Sequence, residues 1–188
     1  MLELRHYVNA FSNLHTAKLK GHKAPHKAIL LLAIIDLVEN GKIATPRIVL
    51  SDELIDKFNK LWHHYLGTSA IFSPDITKPF FHMQHECFWR LVEFEESSLP
   101  MVAEDYQYVE GRKQKKELPT GTYSIKAMRK AFHFAEIDGQ LFQLLQNADA
   151  RAMLRVILIN EYLTNQPTKT MPNITQLVMA LPFIALVA

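Results

Sequence analysis

Nine histidines and a single cysteine are the residues of this 188-residue chain whose types most invite a chemical role. His82 and His85 have the HxxH spacing of a metal-ligand pair, and Cys87 is close by. No second ligand pair follows at a spacing typical of zinc sites. His63 and His64 are adjacent, so they point to different sides of their helix. We therefore predict no metal and no cofactor, and interpret these histidines as surface or hydrogen-bonded side chains.

Sequence motifs of common enzymes are also missing. The chain has no G-x-S-x-G, no Walker loop and no dinucleotide-binding fingerprint. Cys87 as a nucleophile would need a base such as His85 and an oxyanion device, and no such device can be identified. We predict that Cys87 is a small buried core residue, as free cysteines usually are, and that the chain is not an enzyme.

Two short segments combine residue types that are suited to binding. Residues 24–27 (APHK) open a strongly apolar helix, where free N–H groups and the helix dipole lie beside His26 and Lys27. This is an arrangement that binds phosphate. In residues 78–82 (KPFFH), Pro79 stands at the entry of an aromatic segment and is expected to expose its ring. The alternative for this second segment is a strand-opening proline over a core pair.

The charges of the chain are segregated along its length. The 21 basic and 19 acidic residues nearly cancel, yet residues 1–30 and 112–130 are basic and residues 86–110 are acidic. Such a pattern is expected when one face of a domain meets a polyanion. The alternative is a solvated loop and two ordinary helix faces.

Periodicity predicts the elements that must position these residues. An amphipathic helix stops by Gly21, a buried central helix spans 25–39, and a third helix runs from its N-cap Ser51 to Gly67. Residues 43–50 contain a proline and are expected to be loop or edge strand.

The second half of the chain is predicted to begin with a β-hairpin. Two aromatic runs, 80–83 and 88–92, are separated by a four-residue polar gap, which is typical of a hairpin. Residues 97–121 are weakly patterned and are interpreted as a mobile loop. Helices follow at 125–134, 140–146 and 148–163, the last with a buried stripe formed by Met153, Leu154, Ile157 and Leu158.

The fold class predicted from these elements is a compact, mostly helical α+β domain with a small antiparallel hairpin or sheet. We expect one domain over residues 1–163 and an apolar tail, 164–188, that packs on its own core or contacts a homodimer mate. No export signal is visible after Met1 and no apolar stretch is long enough for a bilayer. The expected location is the cytoplasm, with no membrane partner.

Taken together, these segments resemble the sulfur-binding domain of phosphorothioate-dependent restriction endonucleases. That module recognises DNA in which sulfur replaces a non-bridging phosphate oxygen. The resemblance covers about residues 3–163 and is most specific in residues 24–37 and 79–83. Further matches are found in residues 88–91, 124–129, 141–145 and 162–163.

The resemblance implies a role for individual residues. Those expected to line a shallow apolar cavity for sulfur are His26, Lys27, Lys78, Pro79 and His82. Those expected to contact the DNA bases or backbone are Lys23, Arg112, Lys113, Lys115 and Lys116, with Arg112 the candidate for reading bases. Sulfur is larger, more polarizable and less well hydrated than oxygen, so ring faces and methylenes hold it by dispersion. A phosphate oxygen in the same place would lose water, at a cost of about 1 to 3 kcal/mol.

The function expected from the sequence is therefore recognition of phosphorothioate-modified double-stranded DNA within a modification-dependent restriction system, a bacterial defence. Relatives in that family usually carry an HNH endonuclease domain, which makes a separate nuclease an expected partner. Two alternatives concern nucleic acid: a binder of other modified or unmodified DNA, and a nuclease subunit that acts with a separate catalytic domain. A third is a protein-interaction module that docks through its apolar tail, residues 174–188.

Overall fold

The structure is a computed structural model that describes residues 2–67, 71–93, 106–109, 112–115 and 123–164. Within these residues the chain forms seven α-helices and seven short strands. The helices are α1 (Leu2–Ser12), α2 (His26–Glu39), α3 (Asp52–Leu66), α4 (Thr77–His82), α5 (Ile125–Ala131), α6 (Gly139–Leu144) and α7 (Ala148–Tyr162). The strands are β1 (Lys18–Leu19), β2 (His22–Lys23), β3 (Arg47–Ile48), β4 (Trp89–Glu93), β5 (Tyr106–Val109), β6 (Arg112–Lys115) and β7 (Phe132–Ile137). The predicted class, a mostly helical α+β fold, is confirmed.

Helix α2 is the centre of the fold. Every residue from Lys27 to Ile35 is buried, so the helix is enclosed on all sides, by packing against α3, α4 and α7. Pro25 is its N-cap and Asn40 its C-cap, in agreement with the predicted bounds. Because the helix cannot shift without disrupting the whole core, its N-terminal residues are held in fixed positions.

A three-stranded antiparallel sheet with the order β3-β7-β4 covers part of this core. The two-residue strand β3 lies at its edge, which confirms the expectation for residues 43–50. Helix α3 begins as predicted, with the Ser51 hydroxyl accepting a hydrogen bond from the Leu54 N–H at 3.2 Å.

The predicted hairpin of residues 80–83 and 88–92 is wrong. Residues Thr77–His82 form helix α4, a 3₁₀ turn follows at Met83–His85, and β4 pairs with β7. Asp75 caps α4, since its Oδ1 accepts hydrogen bonds from the Thr77 N–H at 3.0 Å and from the Thr77 hydroxyl at 2.6 Å. Pro79 is the third residue of α4, where a missing N–H costs no intrahelical bond.

Two further boundaries differ from the prediction. The helix expected over 125–134 ends at Ala131, and Phe132–Ile137 form the central strand β7, which bonds to strands on both sides. Sheet pairing outweighs the local helical period there. Within the segment interpreted as a mobile loop, β5 and β6 form an antiparallel ladder from Tyr106↔Lys115 to Val109↔Arg112.

Two side chains predicted to be buried are exposed. Met153 is 48% exposed, whereas its neighbours Leu154 and Leu158 face the core. Cys87 is exposed as well, and its Sγ lies 3.8 Å from Nε2 of His6. Apart from Thr164, the tail 164–188 lies outside the described residues. No helix in the described part of the chain is long and apolar enough to cross a membrane.

Candidate functional site

An open pocket of about 810 Å³ lies at the N-terminal end of α2. It is lined by all five residues that the resemblance implied for the sulfur cavity, His26, Lys27, Lys78, Pro79 and His82. The remaining lining residues are 15–17, Ala24, Phe72, His85 and Tyr123. The fold thus brings the α2 N-terminus and helix α4 together around one space, although the two segments are far apart in sequence.

His26 is held on three sides. Its ring centroid lies 4.6 Å from that of Trp62 and 5.8 Å from that of Phe72. Its Nε2 lies 2.9 Å from the carbonyl oxygen of Ser73, so Nε2 carries the proton and donates it. Burial lowers the pKa of His26 and outweighs the hydrogen bond to Ser73, which acts in the opposite direction. The ring is therefore neutral at neutral pH.

Lys27 differs from the expectation of a cation available to phosphate. Its ammonium Nζ lies 2.5 Å from Oε1 of Glu86, and both side chains are buried, with exposures of 7% and 5%. Glu86 also accepts a hydrogen bond from the His15 N–H at 3.0 Å, and its Oε2 lies 3.3 Å from the His15 Nδ1. The Lys27 charge is therefore balanced inside the protein.

Pro79 is buried, which corrects the expectation that its ring is exposed on the surface, yet it contributes to the pocket wall. Asp75 makes two contacts that hold this wall in place. Its Oδ1 accepts a hydrogen bond from the Thr77 N–H at the start of α4, and its Oδ2 lies 3.6 Å from the Lys78 Nζ. Lys78 is exposed at the rim, with 61% of its side chain accessible.

Three aromatic rings form the wall next to α4. The His82 Nε2 and the Tyr123 hydroxyl are 3.0 Å apart, and their rings lie 5.5 Å apart. The His82 ring also stacks on His85, at 5.9 Å and an interplanar angle of 16°. Ring faces dominate this side of the pocket, which makes the wall polarizable.

A short basic hairpin borders the pocket. Strands β1 and β2 pair Lys18 with Lys23, and the turn between them uses positive φ angles at Lys20 and Gly21. Lys18 and Lys20 are exposed. The Ala24 N–H donates to the Ala17 carbonyl at 2.7 Å, which closes the hairpin beside the pocket.

Tyr162 anchors the base of the hairpin. Its hydroxyl accepts a hydrogen bond from the Leu14 N–H at 2.8 Å, and burial raises the pKa of Tyr162 to about 12. Lys23 lies over the Tyr162 ring at 4.8 Å and 3.3 Å from the Glu161 carboxylate. The candidate DNA contact Lys23 is therefore held in place by helix α7.

The other candidate DNA contacts lie on strand β6 or directly after it. Arg112, Lys113 and Lys115 lie on β6. Lys116 lies outside the described residues.

Sequence reasoning missed the pocket residues His15 and Tyr123, and it missed Glu86, which contacts the pocket residues Lys27 and His15. Glu86 had no local signal of burial, since its neighbours His85 and Cys87 are exposed. His15 and Tyr123 had none, since each reaches the pocket only through tertiary packing.

Among the described residues, no group of three or more histidine, cysteine, aspartate or glutamate side chains is arranged to hold a metal ion. Comparison of the sequence with protein-family models and with curated proteins finds no match.

Proposed function

We propose that this chain is a DNA-binding module that recognises phosphorothioate-modified double-stranded DNA through the pocket at the α2 N-terminus. The observation that carries the proposal is the convergence of His26, Lys27, Lys78, Pro79 and His82 on one open pocket. Chance clustering is a weaker explanation, because these residues come from two segments, 26–27 and 78–82, that are far apart in the sequence.

The chemistry of the pocket suits sulfur better than oxygen. His26 is neutral, the Lys27 charge is balanced by Glu86, and much of the remaining wall is ring surface. Such a wall gives a polarizable sulfur favourable dispersion contacts but few replacements for lost water. An ordinary phosphate oxygen would be left imperfectly hydrated, at a cost of about 1 to 3 kcal/mol. Selectivity then arises mainly from rejecting oxygen.

Exposed lysines at the rim of the pocket attract the phosphate backbone of DNA. Lys78 and the hairpin residues Lys18 and Lys20 are exposed cations beside the pocket. They act on any duplex, because phosphate contacts position a protein without reading sequence. In this proposal Lys23 and the β6 residues, with Arg112 as base reader, extend the contact. Recognition takes place in the cytoplasm, and cleavage belongs to a separate nuclease rather than to this chain.

The test compares one duplex with and without a single phosphorothioate linkage, at matched salt. We expect the modified duplex to bind more tightly. Pro79→Ala should reduce this preference by about fivefold or more, the equivalent of 1 kcal/mol, because a ring wall is lost. Pro46→Ala, a proline beside β3 that does not line the pocket, is the matched control and should leave the preference intact. Equal affinity of the wild-type protein for both duplexes would refute the proposal.

A further inference from the structure

Glu86 is buried beneath the pocket and joins two parts of its wall. Its Oε1 contacts the Lys27 Nζ at 2.5 Å and the His15 N–H at 3.0 Å. Only 5% of its side chain is exposed. Backbone bonds fix its position, since its N–H donates to the Met83 carbonyl at 2.8 Å and its carbonyl accepts from the Trp89 N–H at 3.3 Å.

The position of Lys27 makes this contact informative. Lys27 is in the first turn of α2, where free N–H groups and the positive end of the helix dipole already favour an anion. An uncompensated ammonium at that place would attract any phosphate, modified or not. The Glu86 carboxylate, within hydrogen-bond distance, removes that attraction because it balances the positive charge of Lys27 before a ligand binds.

The two described histidines next to the pair do not supply a second carboxylate. His15 contacts Glu86 through its backbone N–H and its Nδ1, so it shares the carboxylate with Lys27. His26, the next pocket residue on α2, is neutral and bonded to Ser73. Within the described part of the chain, Glu86 is thus the acid that is shown to balance the charge of Lys27 at the start of α2.

We propose that Glu86 is a specificity-determining residue: it cancels the charge of Lys27, so that the pocket rejects an ordinary phosphate and retains a poorly hydrated, polarizable sulfur. This role rests on the proposed function. Glu86 is a positioning residue, since it acts through Lys27 and not by touching DNA.

The first experiment measures the affinity of Glu86→Gln for the modified and unmodified duplexes. Glutamine keeps an oxygen that can accept from Lys27 and from the His15 N–H but removes the charge. We expect binding of the unmodified duplex to strengthen by about tenfold and the phosphorothioate preference to fall by about fivefold or more. The double variant Lys27→Met/Glu86→Gln should regain much of the lost preference, because it removes the ammonium that Glu86→Gln releases.

Glu161→Gln is the matched control. It makes the same change in net charge and releases Lys23 from an exposed ion pair. Both duplexes should gain affinity equally, so the preference stays constant. A folded Glu86→Gln protein whose preference is within about twofold of wild type would overturn the role of Glu86. A wild-type protein without preference would instead refute the proposed function itself.

A second probe compares the wild type with the double variant Lys27→Met/Glu86→Gln, which lacks the buried pair but keeps Lys78 and the other cations at the rim. Both proteins are given the unmodified duplex and a duplex with one uncharged methylphosphonate at the same step. If Glu86 cancels the charge of Lys27, removal of the phosphate charge should change the affinity of both proteins by the same factor. A loss of affinity in the wild type that is more than about threefold larger than in the double variant would show that Lys27 attracts phosphate charge, and would overturn the inference.

Discussion

The two ends of helix α2 hold their charges in different ways. At the N-terminal end, Lys27 pairs with the carboxylate of Glu86, and both side chains are buried. At the C-terminal end, about 20 Å away along the helix axis, Asp36 and Glu39 lie between cations from two other helices. The partner side chains there are Lys57 of α3 and Arg151 and Arg155 of α7.

The C-terminal network is shared and partly hydrated. Arg155 contacts Asp36 at 2.8 Å and Glu39 at 2.5 Å, and between 24% and 42% of these three side chains is exposed. The hydrogen bond from Arg155 lowers the pKa of Glu39. This end ties α2 to its neighbours, and the loss of one partner leaves others in place. The pair at the N-terminal end is more deeply buried, and it lies beside a pocket. The difference assigns the joining of neighbouring helices to the C-terminal end and ligand selection to the N-terminal end.

The largest predicted difference between the two ends concerns the free energy of unfolding. Glu86→Ala should lower the free energy of unfolding by about 3 to 5 kcal/mol, since it leaves a buried ammonium without its carboxylate. Arg155→Met should cost only about 1 kcal/mol, as expected for a partly exposed ion pair. Urea denaturation at neutral pH measures both values. A larger loss for Arg155→Met than for Glu86→Ala would show that the network, and not the pair, is the critical contact.

The two ends also differ in what the sequence could predict. The bounds of α2 followed from its continuous apolar run, from Pro25 and from Asn40, all local signals. The set of pocket residues at its start was predicted through a family resemblance, and these residues do come together. Their electrostatic state was not predictable, because Glu86 lies 59 positions from Lys27 and meets it only after folding.

The hairpin error has a similar cause. Phe80 and Phe81 are buried aromatics, which are common in strands and in short core helices alike. Asp75 accepts a hydrogen bond from the Thr77 N–H at the start of α4, a local contact that favours a turn there. The first three residues of β7, 132–134, were assigned to a helix because the partner strands β3 and β4 lie far away in sequence.

The two ends of α2 should lose their contributions to stability in different pH ranges. Burial lowers the pKa of His26 from its usual 6.5, so the unfolded chain binds a proton first and stability falls as the pH drops below about 6.5. Glu39 has a pKa below its usual 4.5, so its contribution is lost only as the pH falls below about 4.5. Unfolding free energies measured from pH 7.5 to 3.5 should thus decline in two windows.

The variant His26→Phe tests the higher of these two pH ranges. The variant keeps a ring against Trp62 but cannot be protonated, so its stability should change less than that of the wild type between pH 7 and 5. His63→Phe, at an exposed position on α3, is the control and should keep the wild-type slope. An identical slope in His26→Phe and wild type would show that the pocket end does not respond to acid through this ring.

The smallest expected effect concerns lysines beside the two ends of α2. Lys20 is at the tip of the hairpin that borders the pocket, and Lys42 follows the C-terminal end. Lys20→Asn keeps a residue that tolerates the φ of 51° found there. It should weaken both duplexes about equally, and reduce the slope of log affinity against log salt by about 0.9 for one lost phosphate contact. Lys42→Asn should leave affinity and slope unchanged. If Lys42→Asn weakened binding as much as Lys20→Asn, the DNA would span both ends of α2, and the assignment of ligand binding to the N-terminal end alone would fail.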